Sequence, residues 1–447
     1  MGLRLIGRFG RGRRRALVIG AALAAAGALA AGAAAAPGTT YSAFSPFGRL
    51  PATGKTPSAL AQGSWWGGPG TASTGETVTV YLSDTIPVDE SVRSTWVNFF
   101  AWLHHGPELS SLTAYVAPLD QVKSICGPEA GGCYSPASKV LVIPGDLSEG
   151  TGFDIAAHEY GHHIAANRRN DPWNANGYGP KRWATYVGVC SRATAGTAFP
   201  GDEGPYYTLN TGEAFAEAYR ALEEARGVYP WAHLPLVVDA SFTPEAGSEA
   251  AALADVQEPW NGPATATWDG RFELPTVGIG ATVGPGRAIA VRSRAGATVK
   301  RLTAGTYALT VRDRSVKDNF HLTGDGVDRK TGLPGRGQVT WTLDLKPGVY
   351  RYRSDARPAL GGSFAVGPAT TIAPLERSFA TGLDGTFQAT VAGPANASLE
   401  VLDPATGNPL AGPTPGAVSA TVCGQRSVLL RVKASRPGTF HVTASTP

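Results

Sequence analysis

The sequence predicts a multidomain chain, with an α+β unit in front and two all-β sandwich units behind it. Three observations carry this expectation. Beyond a leader-like start at 1–36, roughly 410 of the 447 residues remain, too many for one core and suited to two to four domains. Up to about residue 255, runs with helical apolar spacing mix with short strand-like runs. From about residue 272 onward, short Val-, Thr- and Tyr-rich runs are punctuated by Gly and Pro, as β-sandwiches require.

Residues 1–36 join a basic stretch (Arg4, Arg8, Arg11, Arg13, Arg14 and Arg15) to the apolar run "ALVIGAALAAAGALAAGAAAA". Ala31, Ala33 and Ala35 offer small-residue cleavage positions before Pro37. This is the pattern of a secretory signal peptide, and its Ala/Gly content is too weakly hydrophobic to favour a retained anchor. The leader carries six Arg and no acidic residue, so its removal takes the formal charge from +4 down by six to −2. The basicity belongs to targeting, and neither nucleic acid nor membrane is an expected partner of the exported chain. The Ala, Gly, Pro and Arg bias suits a secreted bacterial protein.

Residues 37–75 are rich in Gly, Pro, Ser and Thr and read as a linker. The front unit spans 76–260. It opens with a strand at "ETVTVYL" and a helix at "SVRSTWVNFFAWLHH", followed by strands at "LTAYVAP" and "KVLVIPG". A His-rich helix covers about 151–167, an irregular Asn/Gly/Pro segment runs to about 209, and a second strong helix covers about 211–226. The β units are placed at 272–367 and 374–447. Of the four cysteines, Cys126 and Cys133 flank the flexible loop "GPEAGG" and are placed to close it. Cys190 and Cys423 then either pair, tying the front unit to the last one, or stay free.

The chemistry sits in "FDIAAHEYGHHIAA", residues 153–166. Residues four apart on an α-helix differ by about 40° in azimuth, so His158 and His162 share a face, as a bidentate metal platform requires. His163 lies about 140° from His158 and is excluded. Glu159 stands beside the platform, where it can act as a base without ligating; this is the H-E-x-x-H arrangement. Gly161 leaves space for another element to approach between the ligands. A catalytic zinc needs a third protein ligand and an open position. In "NTGEAFAEAYR", Glu213 and Glu217 are again four apart on an otherwise apolar helix. Glu213 is the expected ligand and Glu217 the partner of a ligand histidine's outer N–H. The alternatives are that Glu213 caps its helix after Asn210 or Thr211, and that Glu217 is a solvated charge.

At these residues the chain resembles the gluzincin metallopeptidases, the thermolysin-like clan, whose pattern is HExxH followed by a Glu that opens an E-x-x-x-[DE] helix motif. The resemblance implies a zincin-like metallopeptidase domain with Zn2+ on His158, His162 and Glu213, Glu159 as general base, and Glu217 orienting a ligand histidine. It also implies a Tyr or His for the oxyanion; Tyr206, Tyr207, Tyr219 and His233 are the candidates. Residues 274–366 are similar to the cupredoxin-like domains of exported bacterial proteins, but Asp318, Ser354, Arg357 and Leu360 stand where copper ligands belong. A blue-copper site is therefore not expected, and His321 reads as structural. The function expected is a secreted zinc-dependent peptidase acting on protein or peptide. The β modules would contact cell-wall or other extracellular polymer. Two alternatives stand beside it: an inactive surface or matrix binding protein on the same fold, and a zinc amidase acting on cell-wall peptides.

Overall fold

The computed structural model describes residues 64–145, 150–273, 276–368, 372–394 and 396–447. The expected leader and residues 37–63 of the expected linker lie outside the described residues.

The front unit is built on a five-stranded sheet. Its strands are β1 (Trp65–Thr71), β2 (Thr77–Ser83), β3 (Thr113–Ala117), β4 (Cys133–Ser135) and β5 (Val140–Pro144), in the order β1-β2-β3-β5-β4. The three inner strands run parallel, and antiparallel β1 and β4 close the two edges. Strand β1 corrects the linker reading, because "WWGGPGT" pairs with β2 along its whole length. Its glycines hid the strand and are what let it form: at Gly67, with φ +115°, a Cβ would meet Val80 O at 2.5 Å. Trp65 adds an edge-on ring contact with Tyr115 at 4.9 Å.

Helices α1 (Glu90–Trp102) and α2 (Leu119–Cys126) connect the strands. Helix α1 starts at Asp89, whose carboxylate accepts the Ser91 N–H at 2.8 Å. Its apolar face, Trp96, Phe99 and Phe100, packs with Phe153 and Tyr160 of α3 (Thr151–Ala166) in the core. Helix α3 is buried continuously from Gly152 to Ala165, so it needs small or apolar residues on every side. The segment read as irregular contains three short helices: α4 (Ala175–Tyr178), α5 (Lys181–Tyr186) and α6 (Val189–Thr194). Each is too short to show a period, which is why the pattern hid them. Asn174 caps α4 by accepting the Gly177 N–H at 2.7 Å, and Pro180 precedes the first turn of α5.

Helix α7 (Thr211–Glu224) crosses α3, and α8 (Ala246–Gln257) packs against α7 and α5. The α3–α7 crossing is close because Gly161 faces Ala216; a Cβ on Gly161 would lie 2.8 Å from the Ala216 Cα. Two small residues thus bring the His-bearing and Glu-bearing helices into backbone contact.

Behind the front unit, β6 (Ala264–Phe272) does not join the unit that follows it. The next strands are β7 (Val277–Gly284), β8 (Ala288–Ser293), β9 (Arg301–Thr303), β10 (Gly305–Asp313) and β11 (His321–Gly324). After them come β12 (Val327–Lys330), β13 (Gly337–Leu345), β14 (Gly348–Arg353) and β15 (Gly361–Gly367). These nine form two sheets, β13-β10-β7-β8 and β12-β11-β14-β15-β9, around one apolar core. The last strands are β16 (Leu375–Ala380), β17 (Gly385–Ala392), β18 (Ser398–Leu402), β19 (Pro409–Pro415), β20 (Ala417–Val422), β21 (Ser427–Lys433) and β22 (Gly438–Thr446). They build the sheets β16-β21-β18-β19 and β20-β17-β22-β6. Strand β6 pairs with β22 from Ala264 to Phe272, so residues 264–272 belong to the last sandwich and the middle one is inserted between β6 and β16.

A disulfide closes Cys126 onto Cys133, with Cα atoms 5.8 Å apart. A second one joins Cys190 of α6 to Cys423 after β20, Cα to Cα 5.4 Å. Beside it the Asp384 N–H donates to Thr185 Oγ1 at 3.0 Å, so the front unit and the last sandwich are joined covalently and by hydrogen bonding. Among the described residues, no helix is long and apolar enough to cross a membrane.

Candidate metal centre

The ligand atoms of His158, His162 and Glu213 lie within 4.8 Å of one another, and all three side chains are buried. Helix α3 presents the imidazoles one turn apart, with ring centroids 5.0 Å from each other. Helix α7 supplies the carboxylate from its first turn. Glu213 does not cap that helix. The cap is Asn210, whose side-chain oxygen accepts the Gly212 N–H at 2.9 Å, while the Asn210 N–H bonds to Tyr207 O at 3.0 Å. Glu213 instead turns to the histidines: Oε2 lies 3.1 Å from His158 Nε2, and Oε1 lies 3.4 Å from His162 Nε2.

His158 Nδ1 lies 2.9 Å from Glu217 Oε1. A carboxylate oxygen thus faces each ring nitrogen of His158. Burial works against a charged ring, but Glu213 and Glu217 outweigh it and raise the His158 pKa to about 10. Burial likewise opposes ionisation of Glu213, yet His162 and His158 hold its carboxyl down at about 2. The His162 pKa is lowered, chiefly by burial, which favours the neutral ring that a metal requires. The donor set, two imidazoles and a carboxylate converging within 4.8 Å, fits a divalent ion.

Glu217 does not face solvent. It is 2 % exposed, and Arg220 Nη2 donates to its Oε2 at 2.7 Å. Arg220 Nη1 reaches Asp154 Oδ1 at 3.0 Å, one turn ahead of His158 on α3. The chain His158–Glu217–Arg220–Asp154 therefore stitches the two helices together behind the ligands. Sequence reasoning missed Arg220 and Asp154, although their spacings, three after Glu217 and four before His158, were there to find.

Glu159 is fully buried, and Gly132 beside β4 packs on it; a Cβ there would sit 3.2 Å from Glu159 Oε1. Thr151 and Ile155, at four-residue steps before Glu159, line a cavity of about 570 Å³ with Ala130, Gly131 and Leu234. His163 is turned away from the ligands. Its Nε2–H can only donate to the Glu108 carbonyl, at 3.0 Å, which leaves Nδ1 to accept from Tyr134 OH at 2.9 Å. Burial pushes its pKa down to about 4.

Of the four oxyanion candidates, Tyr207 alone touches the triad, donating from its hydroxyl to Glu213 Oε2 at 2.8 Å. Tyr219 donates to His104 O, Tyr206 stacks on Phe199, and His233 is largely exposed. In the middle sandwich, the positions read as lost copper ligands hold an ion-pair cluster. Arg357 Nε donates to Asp318 Oδ1 at 2.7 Å and Ser354 Oγ to the same oxygen at 2.9 Å. His321 lies between Asp355, at 2.6 Å, and Asp328, at 2.8 Å.

No protein-family model and no curated protein matches this chain. Solved structures similar to parts of it include copper proteins and oxidases. Rusticyanin from Thiobacillus ferrooxidans is 16% identical, covering 23% of this chain and 98% of its own, with a TM-score of 0.17. A multicopper oxidase is 11% identical over 37% of this chain and 84% of its own, with a TM-score of 0.15. A heme-copper terminal oxidase dimer is 16% identical over 25% of this chain and 84% of its own, with a TM-score of 0.16. At these scores the likenesses carry no functional weight.

Proposed function

We propose that this chain is an exported zinc metallopeptidase that hydrolyses peptide bonds in protein or peptide substrates. What supports this most is the buried cluster of His158, His162 and Glu213 on two packed helices, with Glu159 next in sequence to the first ligand. Two imidazoles and one carboxylate leave one position of a tetrahedral zinc for a non-protein ligand. When bound, the ion supplies Lewis acidity and lowers the pKa of a water molecule there. Glu159 accepts the water proton on its carboxylate as the water oxygen attacks the carbonyl carbon. It then delivers that proton to the amine nitrogen as the C–N bond breaks. Water is divided between the products, hydroxyl to the new carboxyl and proton to the amine. Glu217 on His158 Nδ1 keeps Nε2 aimed at the ligand cluster, and Tyr207 holds Glu213 through the hydroxyl proton it donates to Oε2. The cavity beside Ile155 would receive an apolar side chain of the substrate.

The test is metal content together with cleavage of a denatured protein substrate, with and without chelator. About one zinc per chain and chelator-sensitive cleavage are expected. A zinc-loaded preparation that cleaves neither protein nor peptide would sink the peptidase reading.

A further inference from the structure

The middle sandwich, residues 277–367, holds fifteen Lys and Arg against six Asp and no Glu, a net charge of +9. The rest of the chain beyond residue 36 holds eighteen Lys and Arg against twenty-nine acids, a net −11, so a near-neutral total hides one strongly basic module. From Val277 to Arg312 there is no acid at all. Burial sharpens the imbalance: fourteen of the fifteen cations are exposed, whereas Asp313 and Asp318 are buried and Asp355 is half-buried. On the sheet β12-β11-β14-β15-β9, strand register places the charges. Tyr350 and Tyr352 enter the core, which turns Val349, Arg351 and Arg353 outward. Arg351 stands opposite Ser363, Arg353 opposite Gly361, and Ala365 opposite Arg301 of the edge strand β9. Strand β15 is thus a strip of small residues with Arg301 on one side and Arg351 and Arg353 on the other, two strands or about 10 Å away. At Gly361 a Cβ would lie 2.3 Å from Tyr352 O and 3.0 Å from the Arg353 Cβ, so this end of the strip stays bare. The carboxylates nearest this face, Asp328 and Asp355, are taken by His321, with Lys330 4.0 Å from Asp355. Among the described residues no acid pairs with Arg301, Arg351 or Arg353. The rings of Tyr350, Tyr352 and Phe364 all lie in the core, so these strands present no aromatic platform on which a nucleic-acid base could stack.

We propose that this face of the middle sandwich is a docking surface for an acidic polysaccharide, whose sugar carboxylates pair with Arg301, Arg351 and Arg353 while the chain lies along β15. A guanidinium is a planar fork that matches a carboxylate, and the Ser363 hydroxyl between the two rows is placed to hydrogen-bond sugar hydroxyls. Charge complementarity selects a polyanion, and the strip of small residues selects one that lies flat. The missing stacking platform selects a glycan over single-stranded nucleic acid. The acidic remainder of the molecule repels the same polymer and so confines it to this module. The inference does not depend on the peptidase reading.

The experiment uses the full chain and two triple variants. Arg301→Gln/Arg351→Gln/Arg353→Gln clears the face, and Arg312→Gln/Arg314→Gln/Lys346→Gln removes the same charge from exposed positions elsewhere on the module. Calorimetry measures binding to polygalacturonate, to its fully methyl-esterified form and to duplex DNA, and thermal unfolding checks that each variant is folded. The unaltered chain should bind polygalacturonate, ignore the ester, and lose affinity as salt is raised. Clearing the face should weaken binding by about tenfold or more, while the control variant stays within about threefold of the parent. Should the cleared variant lose its thermal transition, the three single substitutions replace it, each expected to weaken binding by about twofold or more. Absence of binding, or equal binding of acid and ester, overturns the proposal. An equal loss in both triple variants also overturns it, because net charge and not this face would then be responsible. Duplex DNA bound as tightly as polygalacturonate, with the same dependence on Arg301, Arg351 and Arg353, overturns the polysaccharide in favour of a phosphate backbone.

Discussion

Two histidines five residues apart on α3 have opposite fates, and the cause is the partner each imidazole meets. His158 faces two carboxylates, whereas His163 faces a carbonyl and a phenol. The division of labour around the triad sorts four substitutions. Glu159→Gln should keep zinc and lower hydrolysis by about 10²-fold or more. Glu213→Ala should strip zinc, and Glu217→Ala should weaken it by about 10- to 100-fold, read by competition with a chromophoric chelator. His163→Ala should leave zinc content unchanged; retention of zinc by Glu213→Ala together with its loss from Glu217→Ala would reverse the assignment. His163 governs stability instead. Its folded pKa of about 4 lies below the ordinary value of 6.5, so between these the unfolded chain binds more protons. Stability should therefore fall as pH drops from 6.5 toward 4, by about 3 kcal/mol across the window from this group. Urea midpoints should show a shallower acid limb in His163→Gln than in the unaltered chain; identical limbs would exclude the residue. The sequence carried the i, i+4 geometry of His158, His162, Glu213 and Glu217, because helical azimuth is local. The spacings of Arg220 and Asp154 were also legible, but that the two meet each other is settled only where α7 crosses α3.

At the scale of elements, the site exists because two helices touch at Gly161 and Ala216. Helix α3 could be read from its sequence, since fourteen consecutive buried residues, Gly152 to Ala165, leave only small and apolar types outside His163 and the functional positions. Strand β1 and the short helices α4 to α6 could not, because glycine-rich pairing and single helical turns leave no periodic trace. The crossing makes a sharp prediction. Gly161→Val places branched carbons where even a Cβ lies 2.8 Å from the Ala216 Cα, so α7 must move away from α3. The expected cost is about 1–3 kcal/mol of stability, with a disproportionate loss of zinc affinity as Glu213 is carried off the histidines. Thermal unfolding with and without zinc measures both effects. If the zinc-dependent gain in midpoint is the same in the variant, the two helices do not set the metal geometry.

For the whole molecule, the order of units along the chain differs from their order in space. Strand β6 leaves the front unit and pairs with β22, so the last sandwich is interrupted by the middle one. No local pattern reveals this, because a strand's partner more than 150 residues away is set by tertiary packing. The two ends of the insertion lie beside each other: Arg377 Nη1 of β16 donates to Thr267 O of β6 at 3.0 Å. Excision of residues 277–367, with a short Gly/Ser bridge from β6 to β16, should thus leave the rest folded and able to bind zinc. Removal of 372–447 should do the opposite. It deprives β6 of its ladder, exposes the strand edge, and cuts the Cys190–Cys423 link that spans 233 residues of sequence. The expected outcome is a soluble excision variant with zinc content and hydrolysis within about twofold of the parent, and an aggregating truncation. Size-exclusion profiles and metal analysis distinguish them. If the excised chain aggregates while the truncated one stays soluble and holds zinc, the middle sandwich rather than the last supports the metal-bearing unit.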